Sequence, residues 1–500
     1  MGSRRPALLA VLALAFTLRA WHVEWGLPAT YQPDEVGAAE QVRRLLVDPG
    51  RLEAYAHPPL QRLLAAAGLA AARRVGGPDR PDAAAATLAL RWVSVAAGTA
   101  GVLAIYLLAS AFVAPPAAIY AALLQAVLPL AVVSAMDGVP DTLLSSLFAL
   151  GLWAALRASE RPTRARLATL GGLVGLSVAA KYNGAFLLLA AIAALLRARR
   201  HGPVPRGVPL AFLVGLAAGI LAGFPWLPWE WSTLVSALRF EATHLFVEGH
   251  RGLAVSGRDY AFTYHLRRTL LPAMGPALLA ASLAGLLVLA RRRDRRGWVL
   301  LAAILPYFVA AEWIYLVPPR PERYALPLAG PLLVSAIACL EALVERLAGP
   351  RRVLRLAGAG VLAAYPLVLL ARLLPGLVPD SRDAMGAWMA EHVPAGARVL
   401  VEPPLAYYPD LSRTALELVP YAPAFGDEPP QADYALLSSL AHDRYLEHPD
   451  AAPAATAFYR ERLAAPPLHE VPRGSASYLF HNPTLRLYTL APLATSPASH

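Results

Sequence analysis

Apolar residues in this chain come mostly in long, uninterrupted runs. The runs lie at 7–21, 88–113, 115–135, 142–156, 167–180, 185–196, 208–226, 270–290, 298–317, 326–347 and 353–374. A helix needs about 20 apolar residues to cross the hydrocarbon layer of a bilayer. The pattern therefore predicts a polytopic α-helical membrane protein with eleven spans. The first run follows Arg4-Arg5 and looks like a secretion signal. No small-residue cleavage site follows it, so it reads as an uncleaved first helix.

The stretch 167–196 is long for one span and short for two, and Lys181-Tyr182-Asn183-Gly184 interrupts it. Charge decides between the two readings. With two short spans, the arginine clusters at 4–5, 157–166, 197–206, 291–296 and 346–355 all fall on one side, the cytoplasmic side of the positive-inside rule. With one span, the last three clusters would change sides. The expected topology has a cytoplasmic N-terminus and places everything after residue 374 outside.

Two polar regions stand apart from the runs. In the first outer loop, 24–87, Val36, Ala39, Val42, Leu45 and Leu46 space an amphipathic helix over 34–48, with Pro33 at its first position. A second helix is expected from Pro58 or Pro59 to about Arg74. After residue 374 the composition becomes that of a soluble domain. Segments 398–402, 433–438 and 485–490 read as strands, and 381–392 and 452–463 as helices. The expected organisation is a membrane domain over 1–374 and an extracytoplasmic α/β domain over 375–500.

Composition supports the membrane reading. Of 500 residues, 57% are hydrophobic and 16% charged, and mean hydropathy is +0.46; soluble chains carry about 25% charged residues. The net charge of +11 does not signal nucleic-acid binding, because most of the arginines sit in the inter-run clusters. The single cysteine, Cys339, permits no intramolecular disulfide, and Lys181 is the only lysine.

With that topology, the residues of chemical interest gather on the outer face. An ionisable group at a membrane boundary is costly unless it is used or solvated. Asp34 and Glu35 open the amphipathic helix, where the helix dipole favours acids; either suits a general base that takes a proton from a hydroxyl. His57, in His57-Pro58-Pro59, either starts a helix or donates to a phosphate or hydroxyl. Asp137 and Asp141 lie four apart, and Asp141 either caps the next helix or faces a cavity. Lys181, beside Tyr182 and Asn183, either snorkels to the interface or meets a phosphate. Glu241, His244, Glu248 and His250 form a polar outer loop, a candidate for acceptor recognition. Their spacing permits a divalent metal site but matches no standard ligand motif, so a metal is not indicated and no cofactor is assigned. Arg320 and Arg323 beside Tyr324 suit a phosphate, or are ordinary flanking charges.

The residues Pro33-Asp34-Glu35, His57-Pro58-Pro59-Leu60, Pro140-Asp141, Lys181-Tyr182-Asn183 and Arg323-Tyr324-Ala325-Leu326-Pro327 occur in an order that resembles the GT-C class of integral membrane glycosyltransferases. The bacterial protein O-mannosyltransferase and aminoarabinose-transferase superfamily is the nearest type. Ala432-Asp433-Tyr434, Phe458-Tyr459 and Leu485-Arg486-Leu487-Tyr488 extend the resemblance through the C-terminal domain. The resemblance implies a bacterial inner-membrane enzyme with a polyprenyl-phosphate sugar as donor. It implies inverting transfer on the extracytoplasmic face to a lipid, glycan or protein acceptor. Asp34 would be the base and Asp141 a second acidic site residue. Lys181 or His57 would contact the phosphate, with Tyr182, Arg320, Arg323 and Tyr324 as further donor-site candidates. Two departures stand out: His57 occupies a position where some relatives carry lysine or tyrosine, and the loop with Glu241, His244 and His250 matches no family pattern. The main alternative is a transporter or flippase of a lipid-linked sugar, which should show repeat symmetry and ionisable residues at mid-span. A noncatalytic scaffold would tolerate loss of Asp34.

Overall fold

The computed structural model describes residues 4–52, 55–77, 80–243, 247, 253, 255, 257–313, 322–347, 349–412, 414–425, 428–474 and 476–490. Among them, every apolar run forms helix. The helices are α1 (Arg4–Ala20), α2 (Pro33–Val47), α3 (Leu60–Arg74), α4 (Ala83–Ala109), α5 (Pro115–Val127), α6 (Pro129–Val133), α7 (Asp141–Glu160), α8 (Arg164–Ala180) and α9 (Leu187–His201). There follow α10 (Val208–Gly223), α11 (Trp231–Thr243), α12 (Leu271–Arg291), α13 (Arg296–Trp313), α14 (Leu326–Arg346), α15 (Arg351–Leu373), α16 (Ser381–His392), α17 (Ser439–Glu447) and α18 (Pro453–Leu463).

Among the described residues six helical segments, against the eleven spans expected, are long and apolar enough to cross a membrane: Ala83–Ala109, Asp141–Glu160, Tyr182–His201, His265–Arg291, Glu322–Arg346 and Arg351–His392. Pro115–Val127 and Val208–Gly223 are shorter apolar helices. The chain is an integral, multi-pass membrane protein. The run 115–135 does not continue as one helix. Leu128 adopts an extended conformation before Pro129, as steric clash with the proline ring favours, and α6 starts afresh there. The stretch 167–196 resolves into two helices, α8 and α9, joined through Lys181 and a tight 3-10 turn, Tyr182–Phe186.

Small residues set the closest helix contact. A Cβ on Gly171 would lie 2.1 Å from the Phe212 carbonyl oxygen, and one on Gly215 would lie 2.1 Å from that of Ala168. Only glycine lets α8 and α10 approach backbone to backbone, the device by which membrane helices pack without a hydrophobic drive. α7 and α14 run through the middle of the bundle, largely buried. Because α7 has 20 residues, its two ends lie about 30 Å apart.

The C-terminal portion carries a five-stranded mixed sheet. Strands β1 (Arg398–Val401), β2 (Glu417–Pro420), β3 (Tyr434–Ser438), β4 (His469–Val471) and β5 (Leu485–Thr489) lie in the order β2-β1-β3-β5-β4. β1 pairs parallel with β2 and β3; β5 pairs antiparallel with β3 and β4. Sequence patterning anticipates β1, β3, β5, α16 and α18. It misses β2, β4 and α17, each ten residues or shorter. The sheet portion packs against the start of the first outer loop. The buried guanidinium of Arg382 on α16 pairs with Asp380 and donates to the carbonyls of Tyr31 (3.1 Å), Ala406 (2.8 Å) and Phe480 (2.6 Å). Tyr31 in turn donates its hydroxyl to Asp383 at 2.6 Å. These contacts fix the chain three residues before Asp34.

Candidate active site

The site forms where four segment ends meet: the N-terminus of α2, the N-terminus of α7, the C-terminus of α8 and the turn before α14. Gln32 caps α2 by accepting from the Asp34 N–H at 2.6 Å. This places Asp34 in the first turn, where the positive helix end favours a carboxylate. Asp141 starts α7 and is buried.

These residues form a chain of alternating charge. Asp34 Oδ2 pairs with Arg323 Nη2. Arg323 Nε lies 3.2 Å from Asp141 Oδ2. Asp141 Oδ1 accepts from Lys181 Nζ at 2.7 Å. The ammonium also sits over the Tyr324 ring, 4.2 Å from its centroid. Residues separated by nearly 300 positions thus meet, and the two acids and two bases offset one another.

Burial separates Asp34 from the other carboxylates. Its side chain is 36% exposed, whereas those of Asp141 and Glu35 are 3% and 0%. Asp34 also lines a cavity of about 210 Å³ together with Gln41, His57, Gln61, Arg62 and residues 138–140. That volume lies below the roughly 300–1,000 Å³ of drug-sized sites, so the space suits a group of single-ring size. His57 is half-buried in the wall. Desolvation drops its pKa to about 4, against the opposing pull of Asp34, so the ring is neutral near pH 7. Arg62 on α3 adds a cation to the wall and holds the loop by donating to the carbonyls of His57 and Pro58.

Glu35, a candidate base from sequence, sits elsewhere. Its carboxylate is fully buried and engaged by Arg91 through both oxygens, at 2.8 and 2.7 Å. It also accepts from the Gly138 N–H. Arg91 further donates to the carbonyls of Val23 and Trp25. A helical repeat of about 100° per residue turns neighbours to different faces, so Asp34 meets the cavity while Glu35 ties α2 to α4 and to the 134–140 loop.

Tyr182 is tied to the first outer loop. Its hydroxyl donates to the Tyr55 carbonyl at 2.7 Å, and Tyr55 donates its own hydroxyl to buried Glu230. With Trp226 donating to Pro49 (2.9 Å), these bonds anchor the loop that carries His57. Glu241 lies on α11 and outside the cavity lining. Arg320, His244, Glu248 and His250 fall outside the described residues. Among the described residues no group of three or more His, Cys, Asp or Glu is arranged to hold a metal ion.

Sequence reasoning gave less weight to Asp137 and missed Arg62 and Arg91. Asp137 is buried near Glu35, and its Oδ1 has no hydrogen-bond partner. Desolvation, then the Glu35 charge, raises its pKa to about 8, so it carries a proton at neutral pH. The signal for Arg91 was present: a charged residue inside the apolar run 88–113 needs a partner.

Further along α3 lies an apolar groove of about 770 Å³ between α3 and α4, lined by residues such as Leu64, Gly68, Leu88 and Trp92. Gln61 of the polar cavity and Leu64 of the groove are one helical turn apart on α3.

Comparison with known proteins bears on the fold. Residues 84–229 match the family described as dolichyl-phosphate-mannose-protein mannosyltransferase. No curated protein sequence matches the chain. Among solved structures, the Archaeoglobus fulgidus oligosaccharyltransferase tethered to an acceptor peptide is similar, with a TM-score of 0.56 at 14% identity over 90% of this chain and 71% of that one. The same oligosaccharyltransferase, AglB, solved with an inhibitory peptide and a dolichol-phosphate, gives a TM-score of 0.54 at 14% identity over 89% and 70%. ArnT from Cupriavidus metallidurans in the apo state aligns over 96% of this chain and 97% of its own, with a TM-score of 0.52 and 14% identity. The chain has the GT-C fold of integral membrane glycosyltransferases, and its residues 84–229 carry the sequence pattern of the dolichyl-phosphate-mannose-protein mannosyltransferase family.

Proposed function

We propose that this protein transfers a sugar from a polyprenyl-phosphate donor to a hydroxyl of a lipid, glycan or protein acceptor. The reaction runs on the extracytoplasmic face of a bacterial inner membrane. One observation carries the reading: of the carboxylates gathered at the site, Asp34 lines the cavity and retains solvent access, and that cavity lies one helical turn from an apolar groove open along the bundle. A substrate with a polar head and a long apolar tail fits that pairing. The dolichol-phosphate complex of the similar archaeal enzyme concerns a molecule of the same chemical class.

In this reading Asp34 accepts the proton of the acceptor hydroxyl as its oxygen attacks the anomeric carbon. The bond from that carbon to the phosphate oxygen breaks in the same displacement, and configuration inverts. The polyprenyl phosphate leaves with the bonding electron pair, and Arg62 and Arg323 stabilise its charge. Arg323 pairs with Asp34, and Asp141 with Lys181 holds Arg323 in place. Neutral His57 donates to the phosphate or to a sugar hydroxyl. The extracytoplasmic side rests on the arginine clusters, which lie at the other end of the helices. The membrane unit over 1–374 supplies the site, and 375–500 braces its first loop through Arg382 and Tyr31.

The test is release of radiolabelled sugar from a panel of polyprenyl-phosphate donors in membranes holding the native protein or Asp34→Asn at matched abundance. Turnover that disappears with Asp34→Asn supports the reading. Turnover that survives removes Asp34 as base. Movement of intact lipid-linked sugar across the bilayer without release would favour the transporter.

A further inference from the structure

At the opposite end of the bundle from the carboxylates, a hollow of about 690 Å³ opens between the C-terminus of α9, the C-terminus of α12 and the start of α13. Six arginines line it: Arg197, Arg200, Arg291, Arg292, Arg293 and Arg295. No carboxylate does. The nearby acids are occupied by other arginines: Asp294 pairs with Arg296 at 3.4 Å, and Glu160 with Arg296 at 3.0 Å.

The six arginines fall into two groups. Arg197 donates to the Asp294 carbonyl (2.8 Å) and to Ser159, and Arg292 donates to the Phe112 carbonyl (2.6 Å). These two make a fixed wall. The side chains of Arg200, Arg291, Arg293 and Arg295 make no hydrogen bond or ion pair with any described residue. Like charges crowded into one concavity repel one another, so the arrangement favours a multivalent anion.

The rim identifies the source of that anion. Trp298 and Leu196 line the same hollow and are each 55% exposed. An exposed tryptophan at the end of a membrane helix sits at headgroup depth, and a leucine beside it offers an apolar surface to acyl chains. We infer that this hollow is a binding site for the phosphate headgroup of an anionic phospholipid, with its acyl chains lying along Leu196 and Trp298. Basic pockets between membrane helices bind lipid phosphates in this way. The site is about one bilayer thickness from the carboxylate chain and does not depend on the proposed transfer reaction.

The experiment uses full-length protein, delipidated and returned to zwitterionic detergent. Binding of phosphatidylglycerol, phosphatidylcholine and inorganic phosphate is measured by native mass spectrometry. The native protein is expected to prefer phosphatidylglycerol over phosphatidylcholine by at least about tenfold, and inorganic phosphate at equal concentration should not displace the lipid. Replacing Arg200, Arg291 and Arg293 by Gln together should weaken phosphatidylglycerol binding by about 100-fold, roughly fivefold per arginine. A control with Arg161, Arg351 and Arg352 replaced by Gln removes equal charge outside the hollow and should stay within about threefold of native. The single variant Arg293→Gln, expected to lose about fivefold, keeps the test decisive where the triple variant fails to fold. Equal losses in the hollow and control variants would overturn the inference, because a diffuse basic field would then suffice. Displacement of the lipid by inorganic phosphate would also overturn it, because the occupant would then be a soluble anion.

Discussion

Asp34 and Glu35 are adjacent acids, yet under the proposed reaction their removal has opposite consequences. Glu35→Gln leaves Arg91 fully buried with its two charge-assisted bonds, at 2.8 and 2.7 Å, replaced by neutral ones, and weakens the bond from Gly138. Breaking a buried pair by removing one partner costs about 3–5 kcal/mol. Asp34→Asn removes a pair whose carboxylate is 36% exposed. Solvent screening holds that loss to about 1 kcal/mol or less. For catalysis the order reverses. Loss of a general base costs roughly 10²–10⁴ in rate, and Asn cannot take the acceptor's proton. Thermal unfolding in detergent and sugar release from labelled donor, measured on both variants, separate the two roles. The expected result is a stable, inactive Asp34→Asn and a Glu35→Gln whose midpoint falls by several degrees. A stable and inactive Glu35→Gln beside an active Asp34→Asn would refute the assignment.

Other residues give further tests. Asp137 binds a proton in the folded protein up to about pH 8 but only below about 4 when unfolded, so this group makes stability fall as pH rises between those values; in Asp137→Asn that slope should flatten, and unfolding midpoints at pH 5 and 8 check it. His57 has the opposite sign. Its folded pKa of about 4 lies below the ordinary 6.5, so its contribution to stability falls as pH drops from 6.5 to 4, and His57→Gln should remove that acid-side loss in the same scan. A side chain on Gly68 would enter open space in the apolar groove; Gly68→Phe should raise KM for a long-chain polyprenyl donor by about tenfold and leave a short-chain donor within about twofold, read in the sugar-release assay. Arg382→Gln strips the buried bonds from α16 to Asp380 and to the Tyr31 carbonyl; unfolding should come earlier by about 3–5 kcal/mol, and limited proteolysis should cut within the first outer loop.

The chain's own residues fixed the membrane character and the helices. A bilayer leaves backbone polar groups unsatisfied, so an apolar run that enters it must become helix, and among the described residues each run is largely helical. Arg4-Arg5 and the later arginine clusters were likewise legible, because their charge is local in the sequence. The candidate acids were also visible as types: Asp34, Asp141 and Lys181 stand out because ionisable residues beside apolar runs are few. What the sequence left undecided was which of them touch. The pairing of Asp34 with Arg323, and of Arg323 with Asp141, joins α2, α7 and the turn before α14, and loop closure over such distances leaves no trace in local pattern. Burial was equally invisible. Asp34 and Glu35 are neighbours of one chemical kind, and only the packing of α2 against α4 turns one toward the cavity and commits the other to Arg91. Short elements such as β2 and β4 exist because neighbouring strands complete their hydrogen bonds, so three or four residues carry too little periodicity to announce them. The raised pKa of Asp137 belongs to the tertiary structure alone, since it arises from desolvation by residues distant in the chain and from the fixed charge of Glu35.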